Sequence, residues 1–398
     1  MRVLMLSWEY PPHVVGGLGK HVAELLPALV RQGVKVHLLT PLHAPGEALE
    51  GAGNLVIHRV PKPSFAYPDF YAEVVQANVA LARAGEEIAQ RYGPFELLHN
   101  HDWLTSFAAR SLKHQYKLPL VATIHATERG RGRGHLQGEQ AQRINDAEWW
   151  LTYEAWRVIC CARYMAHEVM NYFGTPADKV DVIPNGVDPT PFQALEGEDL
   201  SAFRARWAFA EEKIVLYVGR LVYEKGVEVL VRAAPLVLAQ VPQAKFIIAG
   251  KGPELEHLRQ LVGELNLAPK VLLTGFLDDD TRNRLYKVAD VAVFPSLYEP
   301  FGIVALEAMA ARTPVVVSEV GGLKEVVRHA ETGITIYPND VASCAWGIVH
   351  TLQHPEWAKQ RVENAYHEVL TVFNWDTIAG QTRQVYERVV AERARVNW

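Results

Sequence analysis

Cysteine is almost missing from this chain. Three are present in 398 residues, Cys160, Cys161 and Cys344. That is too few for a disulfide framework, and chain neighbours such as Cys160 and Cys161 rarely bridge each other. They read as small core residues of the apolar run RVICCA. No apolar stretch approaches the roughly 20 residues of a membrane span, and the apolar run in the opening MRVLMLSWEY is too short for a signal peptide. The expectation is a cytoplasmic protein with no integral membrane segment. An excess of basic residues is lacking too. Lys and Arg number 40 against 45 Asp and Glu, a net charge of −5, so no broad basic surface arises and nucleic acid is not an expected partner. No G-x-G-x-x-G follows a strand pattern, which disfavours a dinucleotide oxidoreductase.

What is present is an alternation of short β-branched runs with longer helical patterns. RVLMLSW, KVHLLTP, LVIHRV, ELLHNH, LVATIH, VICCA and VDVIPNG fill the first half. IVLYVGR, KFIIAG, VLLTGF, VAVFPS, PVVVS and GITIY fill the second. Most are apolar throughout rather than alternating, as in parallel strands covered by helices on both faces. The chain is too long for one core, so the expected fold class is α/β with two doubly wound, Rossmann-like domains facing each other across a cleft. The expected divisions are 1–190, 191–375 and a C-terminal helix 376–398, possibly packing back on the first domain. The Pro- and charge-rich segment PTPFQALEGEDLSAFRARWAFAEE is the candidate linker. The polar, Gly-rich segment 128–143 reads as a mobile surface loop, although Arg129, Arg131 and Arg133 are also placed to meet an anion.

Ligands of such sheets bind beyond the carboxyl ends of the strands, so each strand-end turn carries information. After the first strand, Gly16, Gly17 and Gly19 lead into an amphipathic helix, where free amides favour an anion. A structural turn is an equal reading. After IVLYVGR, Arg220 and Lys225 supply two cations suited to a diphosphate. A second glycine turn, Gly250 and Gly252 in AGKGPE, supports that reading, with Lys251 pointing to solvent. The run SLYEPFGIVALEAMAARTPVV sets Glu299 and Glu307 in apolar surroundings. Glu299 falls in a turn and Glu307 in the second turn of a buried helix that starts near Phe301 or Gly302. Glu307 is either a salt-bridge partner or an acceptor for hydroxyls, as an acidic residue is for a ribose. Asp278, Asp279 and Asp280 read as a helix cap. His99, His101 and Asp102 in HNHDW have metal-ligand types, but no further Cys/His cluster supports a metal, and none is expected.

Together these features resemble the retaining glycosyltransferases of the GT-B fold, families 4 and 5, which include bacterial and archaeal glycogen and starch synthases. The marks are GGLGKH, HNHDW, TIHATE, IPNGVD, VGRLVYEKG, AGKGPE, SLYEPFGIVALEA and SEVGGLKEVV, in the family's order over nearly the whole chain. The resemblance implies a nucleotide-sugar donor as co-substrate, a carbohydrate acceptor and no cofactor or essential metal. It implies that Arg220 and Lys225 neutralise the diphosphate and that Glu307 binds ribose. Glu299 lies by the donor sugar, with the amides of Phe301, Gly302 and Ile303 near sugar and phosphate. His125 meets the sugar's reacting face. Gly16 and Gly17 approach the phosphate, and Asp102, Trp103 and Asn185 lie toward the acceptor. Retention would follow from front-side attack, the departing phosphate oxygen taking the acceptor's proton. One departure stands out. Glycogen and starch synthases usually carry Lys-x-Gly-Gly before the first helix, and here the Lys position is Val14. This weakens the implication of polyglucan synthesis and leaves donor activation untouched. The alternatives are a family-4 transferase with a small sugar, sugar-phosphate or lipid-linked acceptor, and a nucleotide-sugar epimerase on the same architecture.

Overall fold

The computed structural model describes residues 1–43, 48–63 and 66–398, with Ala52 described by its backbone alone. The chain forms two compact units. The first comprises Met1–Asn185 and Trp375–Trp398, the second Gly186–Asn374.

Unit 1 is built on β1 (Arg2–Leu6), β2 (Lys35–Leu42), β3 (Leu49–Ala52), β4 (Leu55–Pro61), β5 (Leu97–His101), β6 (Leu120–Ile124), β7 (Arg157–Cys160) and β8 (Val180–Val182). Their order in the sheet is β3-β4-β2-β1-β5-β6-β7-β8. Every pairing is parallel except β3 on β4. Strands β5 and β6 are buried at every position; β6 runs mostly apolar without alternation, whereas β5 buries the polar His99, Asn100 and His101. The edge strand β3 was not anticipated, because LEGA offers no β-branched residue. The helix Trp375–Arg393 belongs to this unit. Its Trp375, Ile378, Tyr386 and Val389 share one core with Leu18, Val22, Leu25 and Leu26 of the helix Gly17–Arg31.

Unit 2 is built on β9 (Lys213–Val218), β10 (Ala244–Ala249), β11 (Val271–Gly275), β12 (Val291–Phe294), β13 (Val315–Ser318) and β14 (Ile334–Ile336). The order is β11-β10-β9-β12-β13-β14, all parallel. This is the Rossmann order, with its reversal between β9 and β12. In unit 1 the corresponding reversal falls between β1 and β5. Ligand chemistry should therefore lie just past those four strands.

Two expectations are corrected. The segment 189–212 is not a linker. It is part of unit 2, where buried Phe192 meets the Tyr286 ring edge-on at 6.2 Å and Glu198 pairs with Arg284. Its amphipathic half-turns lack the strong period that would have marked them as packed. Segment 128–143 is not one long surface loop either. Glu128–Arg131 and Gly138–Glu154 are helical, and Gly130 is buried. Thr127 caps the first helix by accepting from the Gly130 amide at 2.9 Å. Of the three arginines, Arg131 pairs with Glu128 and Arg129 lies over the Tyr172 ring.

Candidate active site

In unit 2 the turns after β9 and β12 are bonded to each other. The carbonyl of Glu224 accepts from the amides of Leu297 at 2.8 Å and Tyr298 at 3.1 Å. This holds Lys225 beside Glu299, with Nζ donating to Oε2 at 2.5 Å. Ser296 Oγ donates to the same oxygen at 3.3 Å, and the Glu299 carbonyl takes the Gly322 amide at 2.9 Å. Both side chains of the pair are largely buried, at 17% and 9% exposure. A carboxylate is thus tolerable in an apolar turn because an ammonium faces it. Arg220 is the more open cation. Its side chain is 46% exposed and makes one long contact, 3.4 Å, to Glu224.

The glycine turn after β10 seats this arginine. A Cβ on Gly250 would lie 1.8 Å from the Gly219 carbonyl oxygen, so only glycine lets the two turns touch. In the same turn, which includes Gly252, Leu221 donates to the Lys251 carbonyl at 2.8 Å and the Leu221 carbonyl accepts from Glu254 at 3.0 Å. Gly250 and Gly252 therefore shape the turn that carries Arg220. Lys251 is exposed, its ammonium 5.3 Å from the Phe276 ring centre.

The helix Ile303–Ala310 starts past β12 on Gly302, whose φ of 106° suits glycine. Among the described residues no side chain caps this start, and the amides ahead of Ala305, which bonds to the Gly302 carbonyl, are placed to meet an anion. Phe301 and Gly302 are buried and Ile303 is half-buried. Glu307 is 3% exposed and accepts from Tyr286 Oη at 3.1 Å. Burial, together with the Glu307 charge, pushes the Tyr286 phenol well up.

In unit 1 the turn after β1 ends in the helix Gly17–Arg31, with Gly16 as its N-cap and no capping side chain from that residue. Two of the amides there are already used. Glu9 Oε2 accepts from Val15 at 2.8 Å and from Gly16 at 3.1 Å. An internal carboxylate thus sits where the sequence suggested an external anion, while Gly17 is exposed.

Four histidines converge behind that turn. His21 faces inward from the helix, and its Nδ1 meets Asn185 Oδ1 at 2.7 Å. His99 Nδ1 meets Tyr386 Oη at 2.6 Å and its Nε2 meets Thr123 Oγ1 at 2.8 Å. His101 Nδ1 and His125 Nε2 are 3.1 Å apart. Burial lowers the His21 pKa to about 4 and that of His99 to about 3. Burial and neighbouring imidazoles hold His101 and His125 well below the usual range. These rings are neutral at pH 7.

Asp102 sits at the end of β5 with a φ of 55°, a conformation that costs a non-glycine residue of order 1 kcal/mol. Its Oδ1 accepts from the His125 amide at 2.7 Å. Burial raises this carboxyl to about 7, against the pull of the His125 and Ala126 amides. Asp102 is thus a clamp on the His125 backbone. Trp103, expected toward the acceptor, is instead a core residue. It is 4% exposed and packs with Trp8, Val74, Ala77, Ile144 and Ala147. Asn185 is buried and orients His21. Sequence reasoning missed His21, Glu9 and Tyr286. His21 had a signal, since it lies four residues after Gly17, on the apolar face of its helix. Glu9 and Tyr286 had none, because their partners are distant in the chain or depend on turn geometry.

Residues 201–368 match the family described as glycosyl transferases group 1, and residues 15–190 match glycosyltransferase family 4. An uncharacterized glycosyltransferase of Methanocaldococcus jannaschii is 40% identical over 97% of this chain and 98% of its own. A glycogen synthase of Mycobacterium tuberculosis is 36% identical over 97% and 94%. The structure of sucrose-phosphate synthase from Thermosynechococcus elongatus superimposes with a TM-score of 0.85 at 28% identity, covering 98% of this chain and 99% of that one. The chain belongs to the GT-B glycosyltransferases of families 4 and 5.

Proposed function

We propose that this glycosyltransferase moves a hexose, glucose from ADP- or UDP-glucose, to a glucan acceptor with retention of configuration, in the manner of a glycogen synthase. The observation that carries the reading lies in unit 2. Arg220, the Lys225–Glu299 pair and the uncapped helix start at Gly302 all sit past β9 and β12, the strands at the reversal of sheet order. That is where a nucleoside diphosphate fits such a sheet. A glycosidase needs a carboxylic acid to protonate its leaving oxygen. A nucleoside diphosphate needs only stabilisation of its growing negative charge, and preorganised donors supply about 3 kcal/mol each in comparable sites. Lys225 has three N–H donors, so it can keep Glu299 and still reach a phosphate oxygen. Glu299 in turn fixes the ammonium and accepts from a sugar hydroxyl. Glu307 takes the ribose hydroxyls. In unit 1, His125 is the neutral imidazole offered to the sugar. The departing phosphate oxygen takes the acceptor's proton. No metal is needed for this charge balance.

The test is a donor panel of ADP-, UDP- and GDP-sugars, read as nucleoside diphosphate release. Release that depends on an added acceptor supports transfer; release without acceptor, or epimerised sugar as product, overturns it. One observation favours a second reading. Val14, 44% exposed, stands where synthases of long glucans usually carry Lys, and Val15 beside it is 58% exposed. A small acceptor that does not lean on a cation at this rim suits it, and a sugar phosphate would need its charge met elsewhere. Radiolabel transfer to glycogen, compared with maltose and glucose phosphates, separates the two.

A further inference from the structure

We infer that His21, His101 and His125 form a three-imidazole site for a borderline divalent cation such as Zn²⁺. One nitrogen from each ring lies within 4.8 Å of the other two. Two of those rings carry a buried nitrogen with no hydrogen-bond partner among the described residues, His21 Nε2 and His101 Nε2. His21 is 5% exposed and His101 fully buried, so solvent does not satisfy them, and such orphans are costly. The tautomers follow from the partners. An amide oxygen faces His21 Nδ1, so Nδ1 carries the proton and Nε2 presents a lone pair inward. One proton is shared between His101 Nδ1 and His125 Nε2. When His101 donates it, His101 Nε2 is a second inward lone pair, and His125 Nε2 becomes the third as the bond between the two rings gives way to the ion.

Neutral imidazole is a good ligand for zinc, and three-histidine sites leave a fourth position open. Asn185 acts as the outer partner that such ligands need, fixing ring and tautomer from the far nitrogen. Tetrahedral binding at 2.0–2.1 Å places ligand nitrogens about 3.4 Å apart, so the cluster must contract on binding. His125, half-buried as a residue, is the most accessible of the three. The sequence expectation of no metal rested on β5 alone, where His99 and His101 share a face. Folding adds one histidine from the first helix and one from the end of β6. His99 is not a ligand, because Tyr386 and Thr123 hold both of its nitrogens.

The experiment uses the full chain and does not depend on turnover. Zn²⁺ is titrated against a chromophoric chelator, and Co²⁺ is bound for its visible spectrum. One ion per chain is expected. His21→Ala removes the site, and Asn185→Ala weakens it by roughly 10–100-fold. His350→Ala leaves it unchanged, which separates it from the surface group formed by His350 and His354. No stoichiometric binding, binding unaltered in His21→Ala, or binding lost in His350→Ala each overturns the proposal. Should His21→Ala fail to fold by circular dichroism, the Asn185→Ala affinity and the Co²⁺ bands decide: an unchanged affinity or bands of hexa-aquo cobalt overturn it. If His125 faces donor sugar as proposed above, Zn²⁺ also inhibits transfer reversibly to chelator. Binding without inhibition would count against that role of His125 and leave the metal site standing.

Discussion

Both units gather reactive side chains past the strands that flank a reversal of sheet order, yet they use opposite chemistry. Unit 2 presents permanent charges, Arg220 and Lys225 against Glu224 and Glu299, arranged by two turns that are hydrogen-bonded to each other. Unit 1 presents neutral rings, His21, His99, His101 and His125, with one clamping carboxyl, Asp102. The difference matches the demands of the proposed reaction. Charge stabilisation at a leaving diphosphate needs fixed cations, whereas recognition of an uncharged sugar needs hydrogen bonds without net charge.

The comparison breaks first at the cations. Arg220→Ala and Lys225→Ala should each lower turnover by roughly 10²–10³-fold, as the loss of one preorganised donor does elsewhere. They should differ in stability. Arg220 is half exposed with a weak partner, so its removal leaves the melting temperature unchanged. Lys225→Ala strands the buried Glu299 carboxylate and should cost about 2–3 kcal/mol, the low end for a broken buried pair because Lys225 keeps some exposure. Nucleoside diphosphate release together with thermal melting checks both. Near-normal turnover in both variants would remove the diphosphate assignment.

Acid should separate the units next. A histidine whose folded pKa is depressed binds fewer protons folded than unfolded between the two values. Stability is then lost as pH falls from about 6.5 toward 4. His21, His99, His101 and His125 act in this sense. Asp102 and Glu148, raised by burial, hold protons in the folded state and act in the opposite sense. His37, His43 and His58 of the same unit are depressed in the same sense, so the histidines outnumber the two opposing carboxyls and unit 1 loses stability as pH falls through this window. No buried histidine of this kind occurs in unit 2 among the described residues. Hydrogen exchange at pH 5 and pH 7 should show amides of β1, β5 and β6 losing protection before those of β9 and β12. Equal loss in both units would contradict the assignment of neutral buried imidazoles.

A smaller effect is expected from Asp102. Asp102→Ala removes the acceptor for the His125 and Ala126 amides and should lower turnover about 10-fold by loosening His125. Binding of nucleoside diphosphate alone, measured calorimetrically, should not change, because the residues proposed to hold it lie in unit 2. A matching loss of that affinity would refute the division of labour.

How much was legible in the sequence follows from the range of the interactions. The strands of both sheets are continuous apolar runs, a local signal, and thirteen of the fourteen were readable as such; only the short β3 was not. The turns that carry Arg220, Lys225 and Glu299, and the helix that carries Glu307, were also readable, since strand-end turns followed by helices announce themselves by glycine and proline. What stayed hidden depended on the third dimension. The distance in sequence from His21 to Asn185 is 164 residues, and from His99 to Tyr386 it is 287. No window along the chain contains those pairs. Trp103 misled for the same reason, since HNHDW gives no hint that its indole stacks on Tyr71 inside the core.

The finest test concerns Glu307, where a structural and a functional reading predict different observables. Tyr286 is fully buried, and its hydroxyl donates to Glu307 Oε2. Tyr286→Phe deletes that one bond and leaves the ring, at a stability cost of about 1 kcal/mol. If Glu307 only completes the interior, the melting temperature falls slightly and kinetics are unchanged. If Glu307 accepts from ribose hydroxyls, the phenol helps to fix the carboxylate's orientation. KM for the nucleotide sugar should then rise several-fold with kcat nearly constant, because ribose contacts are made equally in ground and transition states. A fall in kcat at unchanged KM would fit neither reading and would move Glu307 from binding toward the chemistry that Arg220 and Lys225 are proposed to carry.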